Sequence, residues 1–169
     1  MIAVKCIDER ELDDGYRKMV GALLAEAHPT IGDAFRARGW WTLPPLFRAV
    51  ATDGGEVAGQ VSAYLVESRP ELSLMGLGDG ILKVEHRGRG ILKMMLSACI
   101  EECWKRGAEQ IIVSTKRHSS MILSLGFTRT RPFQFYYETE SACVWRPTWL
   151  VLSKAPIGAN AVWLAEGHF

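Results

Sequence analysis

The stretch Val84-Glu85-His86-Arg87-Gly88-Arg89-Gly90-Ile91 stands between a predicted strand and a predicted helix, and the rest of the chain is organised around it. Its two glycines let the backbone turn tightly, so that several N–H groups can point at one centre. The helix opening at about Gly90 adds its unsatisfied N–H groups and the positive end of its dipole. Arg87 and Arg89, with Lys83, His86 and Lys93 nearby, put positive charge at the same spot. That combination suits a pyrophosphate, although composition alone also allows a solvated basic loop. Rival phosphate motifs fit poorly. No GxxxxGK followed by Ser or Thr occurs, and no third glycine completes a GxGxxG after Gly88 and Gly90. The preceding sheet also reads as hairpins rather than βαβ units.

Downstream of this turn, residues 90–106 carry Lys93, Ser97, Glu101 and Lys105 as one polar stripe. Ile91, Met94, Met95, Ala98, Cys99 and Trp104 cover most of the remaining surface, which predicts a helix largely buried against a sheet. Gly107 suits its C-terminal stop. Residues 110–115 form a short apolar strand of the parallel kind. Residues 116–125 can form another helix ending at Gly126, and residues 127–137 and 143–153 read as a terminal antiparallel pair. The tail, residues 154–169, carries no pattern that places it.

Upstream, residues 2–7 read as a first strand. Asp8 looks like an N-cap for a helix running to about Ala27, and His28-Pro29 stops it. A weaker helical segment covers residues 30–38. Residues 46–52 and 57–66 are strands joined by Asp53-Gly54-Gly55-Glu56, a strong hairpin signal. Residues 72–84 form the next strand, whose Gly76, Gly78 and Gly80 argue for a bulge or close backbone approach. The order β-α-α-β-β-β-α-β-α-β-β, with no repeat or linker, predicts one mixed α/β domain over residues 1–169.

Composition narrows the function classes. A formal net charge of +1 advertises neither nucleic acid nor an anionic membrane, so anion recognition must be local. No apolar run approaches a membrane span, and the N-terminus lacks the apolar core of a signal peptide. Cys99 and Cys103 lie four apart in the apolar helix with no nearby His or second pair. They read as buried thiols rather than metal ligands, so no metal is expected. The expectation is a reduced, cytoplasmic protein.

The strand Gly80-Ile81-Leu82-Lys83-Val84 followed by residues 85–96 resembles the acetyl-CoA-binding motif of the GNAT superfamily of N-acetyltransferases. That motif runs Arg or Gln, two residues, Gly, one residue, then Gly or Ala. Arg87-Gly88-Arg89-Gly90-Ile91-Leu92 follows it except at the last place, where Leu92 replaces a small residue. Ser124-Leu125-Gly126-Phe127 resembles the family's ending of the last helix at the expected spacing, and the resemblance covers roughly residues 1–153. It implies an α/β (α+β) fold: a mixed, mainly antiparallel sheet of six or seven strands, helices on both faces and a splayed central parallel pair. It implies acetyl-CoA, or another acyl-CoA, as co-substrate. Leu82 and Val84 fall where the splayed strand offers backbone groups to the pantetheine. Arg87, Gly88, Arg89, Gly90, Ile91 and Leu92 fall where N–H groups cradle the pyrophosphate, with Lys83 and Lys93 nearby.

The activity so implied is N-acyltransfer by direct attack of a primary amine on the thioester. The family's frequent Asn and Tyr are replaced by Thr115 and Ile122, so the usual general acid is missing. Asp79, on the glycine-rich strand, is the candidate base, and His118 at the start of the last helix is the second. Each also has a plain structural reading: a bulge aspartate bonded to its own backbone, and a solvated histidine. Tyr136 and Tyr137 enter the same region. Trp40, Trp41, Pro44 and Pro45 lie where the family shapes its acceptor pocket, for a small-molecule or peptide amine. Trp145 and Trp149 suit either core packing or a homodimer contact. Two non-enzymatic alternatives remain: an acyl-CoA sensor without catalysis, and a module binding another anion such as nucleic acid.

Overall fold

The computed structural model describes residues 1–40, 43–69, 72–115, 118–129, 134–136, 143–145, 149–153 and 163–164. The first half of the chain gives β1 (Ile2–Asp8), α1 (Asp14–Ala27), a short 3-10 turn, α2 (Gly32–Arg38), β2 (Phe47–Asp53), β3 (Glu56–Arg69) and β4 (Leu72–Leu82). The second half gives α3 (Ile91–Lys105), β5 (Gln110–Ser114), α4 (Ser119–Leu123), β6 (Thr128–Arg129), β7 (Gln134–Tyr136), β8 (Cys143–Trp145), β9 (Trp149–Ser153) and β10 (Trp163–Leu164).

Among the described residues, seven strands form one sheet in the order β1-β2-β3-β4-β5-β9-β6. Strands β1 to β4 are an antiparallel meander, and β4 pairs with β5 in parallel. Strand β9 then pairs antiparallel with both β5 and β6. This is the expected mixed, mainly antiparallel sheet with a central parallel pair. A smaller sheet, β10-β7-β8, contains part of the expected terminal antiparallel pairing, and β10 adds a strand within the unplaced tail.

The sheet is covered on both faces, as period-two alternation requires. Along β2, Ala49 and Ala51 join the larger core with Met95, Leu96, Cys99, Ile100 and Cys103 of α3. Val50 points the other way, into a second cluster with Val20, Leu24 and Ala25 of α1 and Phe35 of α2. Full burial of each large apolar side chain contributes on the order of 1.5–3 kcal/mol. Helices α1 and α2 approach so closely at Gly21 that an added Cβ would lie 2.4 Å from the Phe35 carbonyl oxygen. Only glycine fits there.

Helix α1 starts later than expected. Asp8 continues β1, pairs with Phe47, and its carboxylate meets Arg106, the C-cap of α3, at 2.5 Å. Glu9 is drawn inward by Arg17 and Arg48, which keeps it out of a first helical turn. The cap is Asp13, whose side chain accepts the Tyr16 N–H at 2.9 Å. The expected hairpin turn is present, with Gly54 and Gly55 both at positive φ. Helix α3 ends as predicted, with Gly107 at φ 85°.

Candidate active site

Strand β4 departs from regular pairing at the point its glycines suggest. Gly78 pairs with Ser62 of β3, but Ile81 pairs with Gln60, so β4 spends three steps where β3 spends two. The extra residue is a bulge. Inside it Asp79 has φ 51°, the only positive φ at a non-glycine among the described residues. On the other side, the ladder to β5 ends at Leu77–Val113, although β4 continues to Leu82. From Gly78 onward the β5 side of the strand opens into a gap. A 130 Å³ cavity occupies it, lined by Gly78, Asp79, Gly80, Leu92, Thr115, His118 and Ile122 among others.

Outward from this gap runs a cleft of 990 Å³ lined by Gly80, Ile81, Leu82, Arg87, Gly88, Gly90, Leu92, Lys93, Thr115 and His118, with Ala27 and His28 at the end of α1. Gly88 and Gly90 both have φ 74°, a region where a side chain is strained, so the turn needs both glycines. Gly90 caps α3, and Met94 donates to its carbonyl at 3.0 Å. The N–H groups of Ile91, Leu92 and Lys93 therefore have no intrahelical acceptor. Arg87 folds back, its Nε donating to the Leu82 carbonyl at 3.2 Å, which ties the turn to the end of β4. Arg89 lies 3.4 Å from His86 Nδ1. A positive, donor-rich turn thus closes one end of a long cleft, and a gapped sheet closes the other.

The sequence-predicted residues divide clearly. Gly88, Gly90, Ile91, Leu92 and Arg87 line or form this cleft, as does the buried Leu82. Lys93 also lines it and is exposed. Lys83 is turned toward Glu56 at 3.5 Å and its N–H is tied to the Ala58 carbonyl, so it supports β4 from the β3 side. Val84 is 70% exposed, in the 3-10 turn after the strand. Asp79 and His118, far apart in sequence, line the same small cavity. Thr115 accepts the His118 N–H at 3.1 Å and so helps to turn the chain into α4. Ile122 is buried and gives that cavity an apolar wall. Trp41 and Tyr137 lie outside the described residues, as do the side chains of Tyr136, Trp145 and Trp149.

One partner of Asp79 was not foreseen. The Tyr64 hydroxyl donates to Asp79 Oδ2, and the Gln60 side-chain amide donates to the Asp79 carbonyl. Burial pushes the Tyr64 phenol well above its ordinary value, and the adjacent Asp79 carboxylate pushes it the same way. Tyr64 therefore remains a hydrogen-bond donor through the neutral range. Behind it lies a buried polar network. Arg48, with no exposed surface, gives Nε to Glu9 Oε2 at 2.6 Å, Nη1 to Gln60 Oε1 and Ser62 Oγ at 3.2 Å each, and Nη2 to the Gly39 carbonyl at 2.8 Å. The alternation of Gln60, Ser62 and Tyr64 on one face of β3 was the available signal. It did not reveal that both faces of this strand are buried.

Among the described residues no cluster of His, Cys, Asp and Glu is arranged to hold a metal, and no helix is long and apolar enough to cross a membrane. Cys99 and Cys103 are fully buried free thiols.

Comparison with known proteins places this geometry in a family. Among solved structures, the GNAT N-acetyltransferase YhbS from Escherichia coli, in complex with CoA, matches at 19% identity and TM-score 0.63, covering 99% of this chain and 89% of that one. The ribosomal-protein-S18-alanine N-acetyltransferase of Escherichia coli matches at 16% identity and TM-score 0.62, covering 96% and 100%. An aminoglycoside acetyltransferase from an uncultured soil metagenomic sample matches at 20% identity and TM-score 0.56, covering 75% and 87%. At such identities these likenesses concern the fold. No curated protein sequence matches significantly. The profile of the acetyltransferase (GNAT) family matches residues 15–127, which span the bulged strand, the Arg/Gly turn and the Leu-Gly-Phe segment that follows α4, and on that match the chain belongs to this family.

Proposed function

We propose that the protein transfers an acetyl group from acetyl-CoA to a primary amine in a ternary complex, as one domain spanning residues 1–169 in the cytoplasm. The observation that carries this reading is the continuity of the cleft. It runs from the donor-rich turn at Arg87–Leu92 to a gap in the sheet where Asp79 and His118 face the same cavity. The pyrophosphate of the cofactor would sit on the turn, on the N–H groups of Ile91 to Lys93 and the side chains of Arg87 and Arg89. The pantetheine would follow the unpaired edge of β4, and the thioester would reach the bulge.

There the ammonium group of the acceptor gives one proton to the Asp79 carboxylate, and the neutral amine so formed attacks the thioester carbonyl carbon. A C–N bond forms, and the negative charge on the carbonyl oxygen is met by a backbone N–H of the gapped strand. Removing one such donor typically costs about 3 kcal/mol of transition-state stabilisation. Collapse breaks the C–S bond, and the second amine proton leaves with the thiolate as the free thiol. Holding the two reactants in line can itself contribute about 7–11 kcal/mol. The test is titration with acetyl-CoA followed by turnover over an amine panel. Binding with turnover is expected. Binding without turnover of any amine favours an acyl-CoA sensor, in keeping with the apolar Ile122, and no binding sinks both.

A further inference from the structure

A second large pocket, of 770 Å³, lies on the opposite face of the sheet from the small cavity. It is framed by α1, α2 and the loop before β2, whereas the cavity is framed by α3, α4 and β5. Its apolar wall is Trp40, Leu43, Pro44, Pro45 and Leu65. Tyr64 forms part of its floor, and Tyr64 is the residue that bonds Asp79 in the gap. The Tyr64–Asp79 pair is thus the wall shared by the two sites.

The charge on this pocket is one-sided. Glu9 is the one carboxylate among its described lining residues, and it is matched twice, by Arg17 from within the pocket and by buried Arg48 from behind. Arg17 is held in place by the Glu9 and Leu12 carbonyls at 3.0 and 3.2 Å and lies 5.9 Å from the Trp40 ring centre. Arg10 and Arg38 add two further positive charges to the lining. Arg10 is exposed and has no hydrogen bond or ion pair among the described residues. Low-dielectric walls strengthen such a field. An anion on an apolar body fits this pocket, and a polycation is repelled by it.

We infer that this pocket takes the acceptor, and that the acceptor is a primary amine on an apolar or aromatic body bearing a carboxylate or comparable anion. The anion meets Arg10 and Arg38, the body lies against Trp40 and Pro44–Pro45, and the amine enters past Tyr64 to Asp79. This assignment rests on the transferase reading above and adds the acceptor class to it.

The test uses the full chain, acetyl-CoA and three acceptors: para-(aminomethyl)benzoate, its carboxamide, and kanamycin as a polycation. Free thiol release gives kcat/KM for each, and calorimetry gives acetyl-CoA binding separately. The benzoate is expected to exceed the carboxamide by about tenfold or more, as one charge-assisted contact allows, with kanamycin poorest. Arg10→Glu and Arg38→Gln should each bring the benzoate-to-carboxamide ratio toward one, and Arg38→Lys should retain most of it. A preference for kanamycin, equal use of benzoate and carboxamide, or turnover of another amine but not of the benzoate overturns the acceptor assignment alone; acetyl-CoA binding with no amine turned over counts against the transferase reading too. Failure to bind acetyl-CoA overturns the transferase reading as well.

Discussion

The Tyr64 hydroxyl donates to Oδ2 of Asp79 at the β4 bulge that lies just past the end of the ladder to β5. Asp79 at φ 51° is held by its surroundings: the phenol fixes where the carboxylate points, and the Gln60 amide holds the backbone carbonyl. The bulge opens the sheet for a ligand, and the Tyr64 bond arranges the one acid that faces the opening from β4.

Tyr64→Phe removes that bond while keeping the ring. Turnover is expected to fall about tenfold, in keeping with the loss of one hydrogen bond to a charged group, with KM for acetyl-CoA unchanged. Asp79→Asn should cost more, about 10²–10⁴-fold in kcat, as loss of a general base does. A Tyr64→Phe protein with lowered stability but unchanged turnover would mean that the bond is structural only. His118→Ala completes the set: if it abolishes turnover and Asp79→Asn does not, the base is His118.

The Arg/Gly turn should respond differently. Gly90→Ala forces a side chain into φ 74° at the start of α3, at a cost of about 1–2 kcal/mol. Arg87→Ala frees the end of β4 from the turn. Both are expected to raise KM for acetyl-CoA several-fold to tenfold with little change in kcat, since they weaken binding of the nucleotide end alone. A fall in kcat at unchanged KM would remove the turn from cofactor binding.

How much of this was legible in the sequence depends on the range of the interaction. The turn could be read from residues 84–92 because glycine conformation and helix-end polarity are local properties. The bulge was legible too, from three alternating glycines in an otherwise apolar strand. The parallel β4–β5 pairing was legible in the short apolar run of residues 110–115. Asp8 was misread as a cap because what holds Glu9 out of the helix is Arg48, 39 residues away, and no local pattern carries that. For the same reason Tyr64 passed as one of three polar residues on a strand face. Its partner sits on the next strand, in a register that exists only once the bulge forms.

The Glu9–Arg48 pair gives a stability prediction. Glu9→Ala leaves the guanidinium of Arg48 fully buried with its main counter-charge gone, and breaking such a pair is expected to destabilise by about 3–5 kcal/mol. Replacing both residues together, Glu9→Leu with Arg48→Met, should recover much of that loss, since apolar groups need no partner there. Denaturant unfolding of the three proteins measures it. A single variant as stable as wild type would mean that water reaches Arg48.

Stability should also fall in alkali, with a sign that can be worked out. Burial pushes the Cys103 thiol from an ordinary 9.0 up to about 12, and Cys99 and Tyr64 are shifted upward by burial as well. Each of these groups is neutral when protonated. Below about pH 9 both folded and unfolded chains hold the Cys103 proton, and its contribution to stability is complete. Between 9.0 and about 12 the unfolded chain loses that proton while the folded chain keeps it, so stability falls as pH rises. By about pH 10.5 the loss from Cys103 alone is on the order of 2 kcal/mol. Thermal melts at pH 8 and about pH 10.5 should therefore show a lower Tm at the higher pH. Cys103→Ala should narrow that difference, although it lowers Tm at pH 8 by leaving a small cavity in the α3 core. An equal drop in both proteins would show that Cys103 ionises as readily folded as unfolded.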